Sequence, residues 1–139
     1  MKVTRHAAMW ISDPENIPQG EMVEVDQDIS DYLMPLFEDY VETVTPFASN
    51  CLKALYGYLY EIDPIGIRDD QAQNTDEYLY EAGAIFWLIK TDRLTTKAIW
   101  AIFVFYFDRK ISPFKDEDDP KLMEILIKSQ EIYSSTPQD

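Results

Sequence analysis

The sequence predicts an all-α protein, a single compact bundle of about five helices with an irregular N-terminal segment. Apolar residues recur at spacings of three and four along most of the chain, which is the period of an amphipathic helix. Proline, glycine and helix-capping residues separate these stretches. A chain of 139 residues with 46% hydrophobic residues is long enough for one packed core. We therefore expect one helical domain over 1–139, irregular over 1–25.

The N-terminal segment carries turn signals, and a helical pattern follows it. An Asp-Pro pair at 13–14 and the stretch 17–20 predict turns, while weak alternation over 21–25 allows a short strand. Pro35 predicts a kink or a fresh helix start within the first helix. From Asp28 onward one apolar stripe is formed by Ile29, Leu33, Leu36, Phe37, Tyr40, Val41 and Val44.

The second predicted helix has a clear start and a clear end. Thr45 followed by Pro46 is typical of a cap and a first-turn proline, so the helix should run from Pro46 to Ile62. Pro64 and Gly66 end it, because the residue before a proline disfavours the helical region and glycine adopts a positive φ. Its buried face should hold Phe47, Cys51, Leu52, Leu55 and Leu59.

Three further helices follow. Asn74, with Glu77 three residues on, resembles a capping box that opens a helix over about 75–90. Its buried face should hold Tyr78, Ala82, Ile85, Phe86 and Ile89. A threonine at 95 or 96 caps the next helix, which ends near Lys110, and an Asp-Pro pair at 119–120 opens the last one. The apolar face of that last helix should hold Leu122, Ile125, Leu126 and Ile132.

Composition also indicates a compartment. The most apolar run, 98–107, is about half as long as a membrane-spanning helix needs to be, so we expect a core helix and no membrane partner. Residues 1–10 lack the long apolar region of a secretory signal. Cys51 is the single cysteine, so it cannot form an internal disulfide. We therefore expect a cytoplasmic protein.

The charge of the chain is strongly one-sided. The net charge is −14, and ten carboxylates lie between Asp13 and Glu42, while no lysine or arginine lies between Arg5 and Lys53. Such a chain repels phosphates and anionic headgroups, so direct nucleic-acid or membrane binding is not expected, whereas a basic protein would be attracted. The candidate partner-binding residues are Asp26, Asp28, Asp31, Tyr32, Glu38, Asp39, Glu42, Asp69 and Asp70.

No pattern of catalytic or metal-binding residues is found. His6 is the single histidine, and a metal site needs several ligands at set spacing. Residues from Asp26 begin like a calcium loop, but Asp31 stands where that loop needs glycine. Carboxylates at Glu38 and Glu42 share one helix face, which is typical of a solvated or partner-binding surface rather than of an acid pair across a cleft. We therefore expect no enzyme, no metal and no cofactor.

One pair of motifs carries a family resemblance. Residues 62–67 read IDPIGI, and Asp76, Glu77 and Tyr78 follow after a polar loop. This resembles a family of small bacterial helical proteins with an aromatic-Asp-Pro-Ile-Gly-(Ile/Val) core followed by Asp-Glu-Tyr, over roughly residues 50–111. Some similar proteins are immunity proteins beside polymorphic or contact-dependent inhibition toxins. A structural role is the favoured interpretation of the motif itself, because Asp63 and Gly66 would shape the helix-ending turn.

The resemblance implies a function that the charge also favours. We expect an immunity protein that neutralises a cognate bacterial toxin domain by covering its basic groove with an acidic surface; a nuclease would be one such toxin, because its groove must hold phosphates. Two alternatives stay open. One is an acidic nucleic-acid mimic that inhibits a host defence nuclease, and the other is an acidic secretion chaperone with an exposed apolar groove.

Overall fold

The computed structural model describes residues 2–4, 22–24, 26–37, 46–64, 78–107, 114 and 116–137, and these form an all-α bundle as predicted. Two short strands precede five helices in chain order. The elements are β1 (Lys2–Thr4), β2 (Met22–Glu24), α1 (Gln27–Phe37), α2 (Pro46–Ile62), α3 (Leu79–Lys90), α4 (Thr96–Phe107) and α5 (Pro120–Ser135).

Two short stretches of the N-terminal segment form strands, although the segment was expected to be irregular. Strands β1 and β2 pair antiparallel, with Val3 opposite Val23. The short strand that the alternation over 21–25 allowed is therefore present, but its partner at 2–4 was not foreseen. Pairing across so many residues leaves no local sequence pattern, because the usual hairpin signal is a short turn between adjacent strands. The turns predicted at 13–14 and 17–20 lie outside the described residues.

Helices α3 and α4 form the centre of the bundle. Helix α3 packs against each of the other four helices, and α4 packs against α1, α3 and α5. Every residue of α4 from Ala98 to Phe105 is buried. A helix that is apolar on all sides is stable in water only when neighbours cover it, so the core role predicted for 98–107 is confirmed. Within the described ranges, none of the helices has the length and apolar character needed to cross a bilayer.

The predicted apolar faces match the observed core closely. All five residues predicted to be buried in α2, including Cys51, are buried. In α3 only Ile89 of the predicted set remains partly exposed. In α5 Leu122 and Ile125 are buried, whereas Leu126 and Ile132 are half-buried against the core. In α1 the described part of the predicted stripe, Ile29 and Leu33, is buried.

The capping residues predicted for α4 and α5 are confirmed, whereas the break predicted at Pro35 of α1 is not a new helix start. Thr95 caps α4 by accepting a hydrogen bond from the Ala98 N–H at 3.0 Å, and Asp119 caps α5 by accepting from the Lys121 N–H at 3.0 Å. Helix α1 continues through Pro35 to Phe37, so no fresh helix starts at the proline.

The predicted start of α3 is wrong. The helix begins at Leu79 rather than near Thr75, because Tyr78 adopts a left-handed conformation with φ 70° that cannot continue a right-handed helix. The proposed capping pair Asn74 and Glu77 lies outside the described residues. The end predicted for α4 near Lys110 also lies outside them.

Candidate partner-binding surface

Three of the predicted partner-binding carboxylates lie together at the start of α1. Asp26, Asp28 and Asp31, here called the N-terminal carboxylate cluster, are all exposed. Ile29 and Leu33 of the same helix are buried, so the cluster lies on the outward side of α1. Carboxylates close to a helix N-terminus are favoured by the helix dipole, which stabilises this placement.

Local hydrogen bonds organise part of this cluster. The Gln27 side-chain amide donates to Asp31 Oδ1 at 2.7 Å, one helical turn along. Asp28 Oδ1 accepts from the Ile29 N–H at 2.9 Å. The aromatic residue proposed for this surface, Tyr32, is half-buried and packs against the core, so part of its ring remains available at the surface.

The remaining predicted site residues cannot be placed beside this cluster. Glu38, Asp39, Glu42, Asp69 and Asp70 lie outside the described residues. The described structure therefore brings together Asp26, Asp28, Asp31 and Tyr32 of the predicted set.

A hydrogen bond that the sequence did not predict connects the two halves of the family-like motif. The Tyr78 hydroxyl donates to Asp63 Oδ1 at 2.7 Å, and both residues adopt a positive φ, 70° and 45°. The Tyr78 ring packs against Phe103 and Phe107 of α4, with centroid separations of 6.5 and 6.2 Å. The aspartate of the first motif and the tyrosine of the second thus join the end of α2 to the start of α3.

A buried carboxyl group in the first turn of α3 also escaped sequence reasoning. Glu81 is only 3% exposed, and its Oε2 has no hydrogen-bond partner among the described residues. Burial raises the pKa of Glu81 to about 7, because a low-dielectric interior disfavours the charged form. A signal existed: Glu81 is the single charged residue between Glu77 and Lys90 in an otherwise apolar helix.

A cavity of about 220 Å³ opens between α2 and α5, and we call it the α2–α5 cavity. The pKa of the Tyr58 hydroxyl, which lines it, is raised first by burial and then by the nearby Glu124 carboxylate. Sequence periodicity could not reveal this cavity, because its walls come from separate segments. The lining residues are Tyr58, Ile62, Pro64, Phe114, Lys121, Glu124 and Ile125.

The described residues offer no set of metal ligands and no activated thiol. These contain no group of three or more histidine, cysteine, aspartate or glutamate residues placed to hold a metal ion. The buried Cys51 thiol has a raised pKa, chiefly through burial, with a hydrogen bond to Thr136 acting in the opposite direction. A thiol in that state is a poor nucleophile, because the thiolate is the reactive form.

Comparison with known proteins gives no relative. No protein-family model, curated protein or solved structure matches the chain. The resemblance of the 62–78 region to small bacterial immunity proteins therefore stays a prediction.

Proposed function

We propose that this chain is a binding protein of the immunity type, which neutralises a cognate bacterial toxin by covering a basic groove with an acidic surface. One observation supports this most directly. The N-terminal carboxylate cluster faces outward from α1, within a stretch from Arg5 to Lys53 that contains no lysine or arginine between its ends. Like charges that repel one another are tolerated more easily when an opposite charge neutralises them in a complex.

The proposed mechanism is occlusion. Opposite charge on the toxin steers the two proteins together and raises the association rate. Half-buried aromatic rings such as Tyr32 then supply contact area at little entropic cost, which slows dissociation. A basic groove that holds phosphates becomes inaccessible once the acidic surface lies over it. Such a mechanism requires no catalytic residue.

The test uses the toxin encoded by the open reading frame beside this gene. Association and dissociation rates would be measured by surface-based kinetics over a series of salt concentrations. The double variant Asp28→Asn/Asp31→Asn should associate about tenfold more slowly than the parent at low salt, and the parent should itself slow as salt rises. An association rate independent of salt would contradict the electrostatic mechanism.

A matched control distinguishes the effect of charge at α1 on the association rate from the effect of the total charge of the protein. The double variant Asp92→Asn/Glu131→Gln removes the same number of carboxylates from exposed positions outside α1. It should associate at close to the parental rate, because steering depends most on charges near the contact. Equal slowing in both variants would show that only net charge matters. The absence of any complex with that toxin, together with inhibition of a host nuclease, would favour the mimic alternative.

A further inference from the structure

The α2–α5 cavity has the size of one side chain. Its volume of about 220 Å³ lies below the roughly 300–1,000 Å³ of pockets that hold drug-sized ligands and cofactors. Its inner wall is apolar and firmly anchored, since Phe114 and Ile125 are each 3% exposed. Phe114 packs edge-on against Phe103 of the core at a centroid distance of 5.2 Å. A single apolar side chain from outside would therefore meet a preformed apolar wall.

The mouth of the cavity carries an exposed apolar residue. Ile62 is 41% exposed, and it is one of three large hydrophobic residues exposed in the described part of the chain. The other two, Met123 and Ile127, do not line the cavity. Exposed apolar area beside a concave apolar wall is typical of a contact site for another protein.

The segment that connects two of the lining residues is acidic. Phe114 and Lys121 both line the cavity, and residues 115–120, which connect them, read Lys-Asp-Glu-Asp-Asp-Pro. Glu124 lines the cavity itself. Asp116 Oδ1 accepts from the Asp118 N–H at 2.9 Å, which helps to hold the acidic turn in place. The lining itself holds one carboxylate, Glu124, and one ammonium group, Lys121. The connecting segment adds four carboxylates and one lysine, and one of those carboxylates, Glu117, pairs with Lys97.

From these contacts we propose that the α2–α5 cavity is a docking site for one apolar side chain flanked by lysine or arginine on a partner protein. The apolar wall selects the side chain, and the carboxylates of 116–119 and Glu124 select its basic neighbours. The site is separate from the N-terminal carboxylate cluster: α1 packs against α3 and α4, whereas the cavity walls come from α2, α5 and Phe114. It does not require the partner to be a toxin.

The test titrates the isotopically labelled full chain with three short synthetic peptides and follows amide signals by NMR. The first has a central tryptophan flanked by lysines, the second replaces the tryptophan by alanine, and the third replaces the lysines by glutamates. The first peptide should shift the amide signals of Ile62, Phe114 and Glu124 to saturation. Each of the other two should bind at least about tenfold more weakly, because each lacks one of the two selected features.

Two matched variants locate the binding. Ile62→Ser should weaken binding of the tryptophan–lysine peptide severalfold, whereas Ile127→Ser, at an exposed position on α5 outside the cavity, should leave it unchanged. The proposal is overturned if no saturable shift occurs at the cavity, if all three peptides act alike, or if both variants weaken binding equally. Shifts confined to Asp28 and Asp31 would also overturn it, while leaving the proposed function standing.

Discussion

At the scale of single residues, the most consequential side chain is Glu81. Its burial without a partner for Oε2 among the described residues disfavours the charged carboxylate. Because its pKa is raised from 4.5 to about 7, the folded protein retains a proton that the unfolded chain releases between these two values. Folding stability therefore falls as pH rises through this window and is constant above it, as far as Glu81 contributes.

The substitution Glu81→Gln tests this linkage. A pKa difference of one unit corresponds to about 1.4 kcal/mol. The buried Glu81 carboxylate therefore lowers the free energy of unfolding by at most about 3 kcal/mol at pH values above 7. The variant should gain stability relative to the parent as pH rises from about 5 to about 8, measured as the free energy of unfolding in urea. Glu131→Gln, at an exposed position, is the control and should show no such gain. A pH-independent difference between Glu81→Gln and the parent would contradict the assignment.

The hydrogen bond between Tyr78 and Asp63 is the second decisive contact at this scale. It joins the residue that follows α2 to the residue that precedes α3. Both residues have a positive φ, which costs conformational energy in a non-glycine residue. Removing the hydroxyl by Tyr78→Phe should lower the free energy of unfolding by about 1–2 kcal/mol, because a hydrogen bond to a half-buried carboxylate is lost.

Two measurements check this prediction. Urea unfolding gives the loss of stability, and amide exchange should become faster at Ala82, whose N–H donates to the Tyr78 carbonyl at 2.9 Å. Tyr32→Phe is a suitable control, because it removes a hydroxyl from a half-buried tyrosine of α1. If Tyr78→Phe were as stable as the parent, the contact would contribute nothing to the fold.

At the scale of elements, local sequence located the helices and missed the start of one of them, α3. Helix α2 begins and ends where its proline signals predict, and α4 and α5 are capped by the predicted threonine and aspartate. The predicted start of α3 is wrong, because Tyr78 is left-handed and contacts Asp63, directly after α2, and Phe103 of α4. A capping pattern is read from neighbouring residues, so it does not reveal a hydrogen bond to Asp63, fifteen residues earlier in the chain.

Gly57 weakens α2 without a structural reason in the folded protein. It is exposed in the middle of the helix, and a Cβ added there would meet nothing within 4 Å. Gly57→Ala should therefore stabilise the protein by about 0.5–1 kcal/mol, because alanine loses less backbone entropy on folding. The reverse change on the same helix, Ala54→Gly, should destabilise it by a similar amount. Thermal unfolding of the two variants would show shifts of opposite sign, and a destabilised Gly57→Ala variant would contradict the argument.

At the scale of the whole molecule, the core is apolar, whereas the chain as a whole carries a large excess of carboxylates. The core is apolar and continuous across five helices, as the periodicity of the sequence predicted. The carboxylates have few basic partners available: the sequence holds 26 acidic residues against 12 lysines and arginines. The ion pair between Lys97 and Glu117, at 3.7 Å, is partly exposed and stabilises the fold little. Binding to a basic partner remains the proposed explanation for this imbalance.

Local sequence determined the number of helices, most of their limits, the buried faces and the outward position of Asp26, Asp28 and Asp31. These properties depend on the period of apolar residues and on capping groups within one or two turns, so a single chain segment contains the information. Only the tertiary structure decided the burial of Glu81 and the α2–α5 cavity. It also left Glu81 Oε2 without a hydrogen-bond partner among the described residues. Those features arise where distant segments exclude water together, and such an environment has no counterpart in the order of neighbouring residues.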